Sequence, residues 1–274
     1  MRVDVMRWLI VSLIWTLSAI GGFGQALPFH ADPAAREELP DLSLVPAIRF
    51  LTTADFPPFN YRDGDGELIG FHIDLAEAIC ATLDITCTMQ AWPWEQSVDA
   101  LVDNQGDALI AGLAVSNITA EQLDFSNLYL MLPGRFVTLA DAIGSFDIIG
   151  LAGQKVSVRA KSAHAAFLSA YFPEVEQVPF DTEIGALEAL QKGEVVAQFG
   201  DALRASFWLN EHPACCGFAG SAYFNSRYFG EGFAVAVPAG RGALRNAINY
   251  ALVRLKRDGK LDELYLRWFP VSFY

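Results

Sequence analysis

Between residues 48 and 115 the chain reads IRFLTTA (48–54), DFPPFNYRDGDGEL (55–68), GFHIDLAEAICATLD (70–84), ITCTMQAW (85–92), EQSVDALVDNQ (95–105) and DALIAGLAV (107–115). The first piece is a short apolar strand, and the second is a Pro-stiffened loop with a DGDG turn signal. In the third, Ile73, Leu75, Ala76, Ile79 and Leu83 recur at helical spacing. A strand, a helix and a buried strand follow. This is a β-α-β-α-β unit, which predicts a mostly parallel sheet with helices on its faces.

Working outward, a second series begins near Asp147 with the same layout. KVSVRA (155–160), VEQVPF (175–180) and VVAQFG (195–200) read as strands; AHAAFLSAYF (163–172) and EIGALEALQKGE (183–194) read as helices. FAVAVPAG (233–240) is one more strand. The closing segment, residues 243–269, is amphipathic and helical, broken by Gly259. Two α/β units joined by extended crossings predict two lobes: residues 47–135 with 228–274, and residues 136–227. Ligands of such sheets lie beyond the carboxyl ends of the strands, so the cleft between lobes is the expected site.

At the other end, Arg2 and Arg7 flank the start of an uncharged run from Trp8 to Phe23, and Gly24, Gln25 and Ala26 follow it. A basic start, an apolar stretch and a small-x-small exit predict a secretory signal peptide over residues 1–26, cleaved near Ala26. The run is shorter than the roughly 20 residues that span a bilayer comfortably. Residues 27–46, rich in Pro, Ala and acids, read as a leader. Over its 274 residues the protein is 53% hydrophobic with a net charge of −13. That composition supports packed cores. The acidic balance argues against nucleic acid as a partner, because phosphate backbones select basic surfaces.

Secretion makes the four cysteines candidates for disulfides. Cys80 and Cys87 end a helix and enter the next strand, seven residues apart, a separation that can bring their Cα atoms into bonding range. Cys215 and Cys216 are adjacent, and their redox state stays open. No further Cys pair or His stands at metal-ligand spacing, so neither a metal nor a cofactor is expected.

Several short motifs recur in a fixed order: Phe56-Pro57-Pro58-Phe59, Gly70-Phe71-His72-Ile73-Asp74-Leu75-Ala76, Gly106-Asp107-Ala108-Leu109-Ile110-Ala111-Gly112, Leu123-Asp124-Phe125-Ser126, Tyr228-Phe229-Gly230 and Leu264-Tyr265-Leu266-Arg267-Trp268-Phe269. Together, from about Ile48 to Phe269, they resemble the bacterial periplasmic amino-acid-binding proteins of ABC transporters, the group that includes the histidine- and lysine/arginine/ornithine-binding proteins. The resemblance implies a type II two-lobed α/β fold, a periplasmic monomer, a small polar solute in the cleft, and membrane transporter subunits as partners.

It also implies ligand-facing positions. Phe56 is expected at the pocket and Phe59 in the lobe core. Trp94 falls where the family lines its pocket, and Trp92 beside it is expected to pack. Asp74, in the first turn of its helix, suits the helix dipole and reads as structural. The departures are as informative. Where the family has Gly-x-Ser-x-Thr, with an Arg five residues after the Ser, this chain has Gly112, Ala114 in place of the Ser and Thr119 in place of the Arg. The charged fork that grips a ligand carboxylate is therefore missing. In the second half, Lys161-Ser162-Ala163 replaces Gly-Thr-Thr, leaving Ser162 to cap a helix or donate to a ligand. Asp201 stands where the family binds a ligand ammonium, and a helix cap is the competing role. Arg159 ends a strand at a position that is apolar in the family. It either supplies the missing cation from the opposite lobe or turns to solvent.

The same fold serves periplasmic cyclohexadienyl dehydratases, which need a general acid in the cleft and a carboxylate-binding Arg. Of the histidines, His30 lies in the leader, His72 sits between apolar helix positions, and His164 near Ser162 is the one expected at the cleft. Solute binding without chemistry is the expectation. An accessory protein with a degraded pocket is the second reading, and an enzyme the third.

Overall fold

The computed structural model describes residues 40–113, 115 and 121–274. The expected signal peptide, most of the leader, Ala114 and Thr119 lie outside the described residues.

The chain opens with strand β1 (Ala47–Thr52), whose alternate residues Ile48 and Phe50 are fully buried. A small antiparallel sheet follows, made of β2 (Asp55–Phe56), β3 (Asn60–Arg62) and β4 (Leu68–Ile69). Helix α1 (Phe71–Leu83) starts after Gly70, whose φ of 137° and contact with the Phe59 carbonyl exclude a side chain. Then come β5 (Thr86–Ala91), α2 (Trp94–Val102), β6 (Ala108–Leu109) and β7 (Leu123–Phe125). The buried strand expected over residues 107–115 is paired as a strand only at two residues. Beyond Leu109 the Ile110 N–H still donates to the Leu51 carbonyl, and Gly112 then turns the backbone at φ 73°.

The second half supplies β8 (Gly134–Leu139), β9 (Lys155–Arg159), α3 (Ala163–Tyr171), β10 (Glu176–Phe180), α4 (Glu183–Gln191), β11 (Ala197–Asp201), α5 (Ala202–Glu211), β12 (Cys216–Tyr223) and the short α6 (Ser226–Phe229). The chain ends with β13 (Ala236–Pro238), α7 (Gly242–Arg257) and α8 (Lys260–Trp268). The break between the last two helices is at Gly259, whose φ of 72° is the left-handed turn that glycine adopts without cost.

Two five-stranded sheets result, in the orders β5-β1-β6-β13-β7 and β10-β9-β11-β8-β12. In each, the first three strands run parallel, the fourth runs against its two neighbours, and the fifth therefore runs with the first three. The reversed strands, β13 and β8, are the ones through which the chain enters each lobe from the other. The two crossings are bonded side by side: Tyr129 N–H donates to the Phe233 carbonyl, and Phe233 N–H to the Leu130 carbonyl. Tyr228 and Phe229 of α6 pack on Phe167 of α3, within the second lobe.

A third segment crosses at the same level. The Tyr274 hydroxyl donates to the Met131 carbonyl and accepts from its N–H, while Arg135 donates to the Phe273 carbonyl and Val271 packs on the second lobe's core. Phe273 and Tyr274 themselves belong to the first lobe's core, with Phe59, Phe71, Tyr265 and Phe269. Asp74 is structural through a further link: it accepts from Arg267 and from the Trp268 indole, each at 2.9 Å, and so ties α1 to the closing helix. Cys80 and Cys87 stand with Cα atoms 6.1 Å apart, within disulfide range.

Candidate functional site

The first lobe presents a cavity of about 340 Å³ at the carboxyl end of its sheet, lined by Thr53, Asp55, Phe56, Trp94, Ala111, Gly112 and Phe233. That is the size of a small-molecule pocket. Its apolar wall is layered. Phe56 is 36% exposed and stacks on the wholly buried Phe59 at a centroid distance of 4.7 Å, with Phe233 set edge-on to both. Trp94 opens α2 and is 44% exposed, whereas Trp92 is half-buried. Gly112 has to be glycine twice over. Its φ is 73°, and a Cβ there would meet the Phe56 ring at 2.9 Å.

Behind this wall lies a polar chain that the sequence reading missed. Asn60 Nδ2 donates to Thr53 Oγ1 at 2.7 Å, Asn60 Oδ1 lies 2.6 Å from His72 Nδ1, and His72 Nε2 lies 2.8 Å from Tyr129 Oη. All four residues are buried. Burial alone pushes the imidazole down to about 3, so His72 is neutral, and it raises the Tyr129 phenol. His72 is therefore more than a residue between apolar helix positions. A polar side chain inside an apolar helix stripe was the available signal, since such a group is buried only with partners.

The second lobe's site is of another kind. The carboxyl ends of β9, β10 and β11 lead directly into the amino ends of α3, α4 and α5, capped by Ser162, Thr182 and Asp201. Ser162 is occupied twice: Oγ accepts from the Ala165 N–H and donates to the Arg159 carbonyl. Asp201 accepts from the Arg204 N–H and is half-buried, and Arg159 is exposed at the strand end.

Glu183, which the sequence reading did not single out, is 7% exposed. It lies over Gly200, where a Cβ would overlap its carboxylate, and it accepts from Gln198 Nε2 at 2.7 Å. Burial first, and then the Asp201 charge, push its carboxyl up to about 7, against the opposing pull of Gln198 and Arg159. His164, stacked on Phe229 at 4.7 Å, is pushed down by burial and by Arg159 and Arg204, with Asp201 opposing. The electrostatics of Glu183 and His164 thus put Arg159 and Asp201 in one neighbourhood with them. Among the described residues, no group of three His, Cys, Asp or Glu side chains could hold a metal ion.

Against known proteins, residues 48–271 match the family model described as bacterial extracellular solute-binding proteins, family 3. The chain belongs to that family. The ABC transporter arginine-binding protein 2 of Escherichia coli (strain K12), a putative assignment in its own name, is 32% identical over 81% of this chain and 90% of its own length. Among solved structures, the unliganded, open L-cystine solute receptor of Neisseria gonorrhoeae superposes with a TM-score of 0.72 at 20% identity, over 83% of this chain and 94% of its own. A variant of an ancestral cyclohexadienyl dehydratase superposes at 0.71, also at 20% identity, over 86% and 98%. At that identity both show the two-lobed fold alone. The family and the more similar relative are binding proteins, so this solute-binding protein is not classed with the enzymes that share its fold. Among its described residues, no helix is long and apolar enough to cross a membrane.

Proposed function

We propose that this solute-binding protein captures a small amino-acid-like solute between its lobes and delivers it to the membrane subunits of an ABC transporter. The observation that carries the reading is the aromatic-walled cavity at the carboxyl end of the first sheet, where solutes bind in folds of this kind. Two further facts support it: the charged cluster at the corresponding end of the second sheet, and the arginine-binding relative. Closure of the lobes about the paired crossings would bury the solute between a ring-lined face and a charged one.

Within this reading Phe56 and Trp94 cover the ligand stem, beside Gly112. Arg159 takes over the carboxylate contact that Ala114 and Thr119 cannot make, and Asp201 meets an ammonium. Ser162, already committed on both sides, serves as the cap of α3. Each lobe boundary lies two residues from the sequence expectation, giving residues 47–133 with 230–274 and residues 134–229, because Gly134 opens β8 and Phe229 packs on Phe167. The protein works as a monomer in the periplasm, after loss of residues 1–26, with Cys80 and Cys87 joined in that oxidising compartment.

The test is thermal unfolding of the mature chain against amino acids, opines, amines and organic acids. A ligand at about 100 times its Kd adds about 2.7 kcal/mol, which moves the midpoint by several degrees. A selective shift is expected. A flat panel refutes solute capture. The Ala114 and Thr119 substitutions would then favour an accessory protein that pairs with another periplasmic protein.

A further inference from the structure

The chain Thr53–Asn60–His72–Tyr129 has a direction, and the buried end sets it. Tyr129 is 3% exposed, and its hydroxyl meets one polar partner among the described residues, His72 Nε2. If the imidazole donated from Nε2, the phenol oxygen would accept and its own proton would be left unpaired in the core. A buried donor without a partner costs about 1–3 kcal/mol. With the phenol donating, every link is satisfied in turn. Nε2 accepts from Tyr129, Nδ1–H donates to Asn60 Oδ1, and Asn60 Nδ2 donates to Thr53 Oγ1.

The Thr53 oxygen is then engaged as an acceptor from behind. Its own proton meets no acceptor among the described residues, and Thr53 lines the cavity. A polar side chain that is 1% exposed, with an unspent donor at a cavity wall, is poised for something that enters the cavity. We infer that Thr53 is a specificity-determining donor that reads an acceptor oxygen, carboxylate or carbonyl, on the solute, and that Asn60, His72 and Tyr129 are the positioning residues that fix the direction of its proton. The inference rests on the solute-capture reading and deepens it: the first lobe, without the charged fork, still selects for an oxygen.

Reversed, the same four residues would present the Thr53 oxygen and select a donor such as an ammonium. The direction is therefore measurable without any ligand. Imidazole nitrogen NMR should find His72 protonated at Nδ1 and bare at Nε2 from about pH 5 to about pH 8, because the ring never becomes charged there. A proton on Nε2 overturns the inference.

The second arm is calorimetry with L-arginine and L-phenylalanine, each beside its carboxamide and its decarboxylated amine, agmatine or phenethylamine. For whichever set binds, Thr53→Val should weaken the amino acid and the carboxamide at least about tenfold and the amine less than about twofold, with Thr53→Ser restoring the wild-type order. Equal weakening across a set, or none, overturns the inference and leaves solute capture standing. A wild-type protein that binds none of the six and also leaves the thermal panel flat refutes both at once.

Discussion

The two lobes share one plan and differ in chemistry. Each is a five-stranded sheet whose fourth strand alone is reversed, with helices starting at the carboxyl ends of the strands. The first lobe turns rings toward its cavity and runs a neutral polar chain behind them that surfaces at Thr53. The second turns charges outward and holds Glu183 half-way through its titration near neutral pH. One scaffold thus separates shape from charge. The lesson is that strand order decides where a site lies, and the few residues just beyond strand ends decide what it can hold.

The largest effect expected is on the shape side. Phe59 is fully buried beneath Phe56 and in contact with Phe71, Phe233 and Phe269. Phe59→Ala should cost about 3–5 kcal/mol in denaturant titration. A loss under about 1 kcal/mol would mean that the ring wall is loosely packed. On the charge side, Arg159→Ala should weaken capture of a carboxylate-bearing hit at least about tenfold, with folding stability nearly unchanged because the side chain is exposed. Unchanged affinity in calorimetry would remove charge from the second lobe's role.

Glu183 sharpens the contrast through pH. Its folded carboxyl is raised from 4.5 to about 7, so the native state binds more protons than the unfolded chain between those values. Stability from this group therefore falls as pH rises through that window, and the full penalty stands above about 7. Glu183→Gln keeps a partner for Gln198 and removes the titration. It should stabilise the protein at about pH 8, by up to about 3 kcal/mol, and change little at about pH 5. Unfolding midpoints at the two pH values decide it. An equal effect at both would show that Glu183 does not titrate there. His72, pushed down from 6.5 to about 3, gives the opposite slope: the unfolded chain binds the proton between those values, so stability from this group rises with pH up to about 6.5, and that asymmetry is the difference between the lobes.

Much of this was legible in the sequence for a physical reason. Alternation and helical spacing are local, so both β-α-β series and the break at Gly259 could be read directly. Positions just past strand ends are nearly local too. Phe56, Trp94 and Gly112 line the cavity, while Arg159, Ser162 and Asp201 stand at one edge of the second lobe. What escaped is long-range. Glu183 becomes unusual only because α4 crosses β11 in a register that lays it over Gly200. The Thr53 chain joins positions as far apart as 53 and 129, and no spacing rule anticipates it.

The smallest change expected, a near-zero dependence on pH, tests the claim that the first lobe's polar chain is anchored at its buried end. Tyr129→Phe leaves the ring in place and deletes the one hydroxyl that meets His72 Nε2. Volume is nearly conserved, so no cavity term enters, and the cost is that of a buried imidazole nitrogen left without a partner, about 1–3 kcal/mol. Because that nitrogen is bare when the chain runs from Tyr129 to Thr53, the loss is an acceptor's and should barely change between about pH 5 and about pH 8. A loss that shrinks toward low pH would mean that His72 takes up a proton once Tyr129 is gone. The first lobe would then be held neutral by one hydroxyl and not by burial, and the division between a neutral lobe and a titrating one would rest on a single oxygen atom.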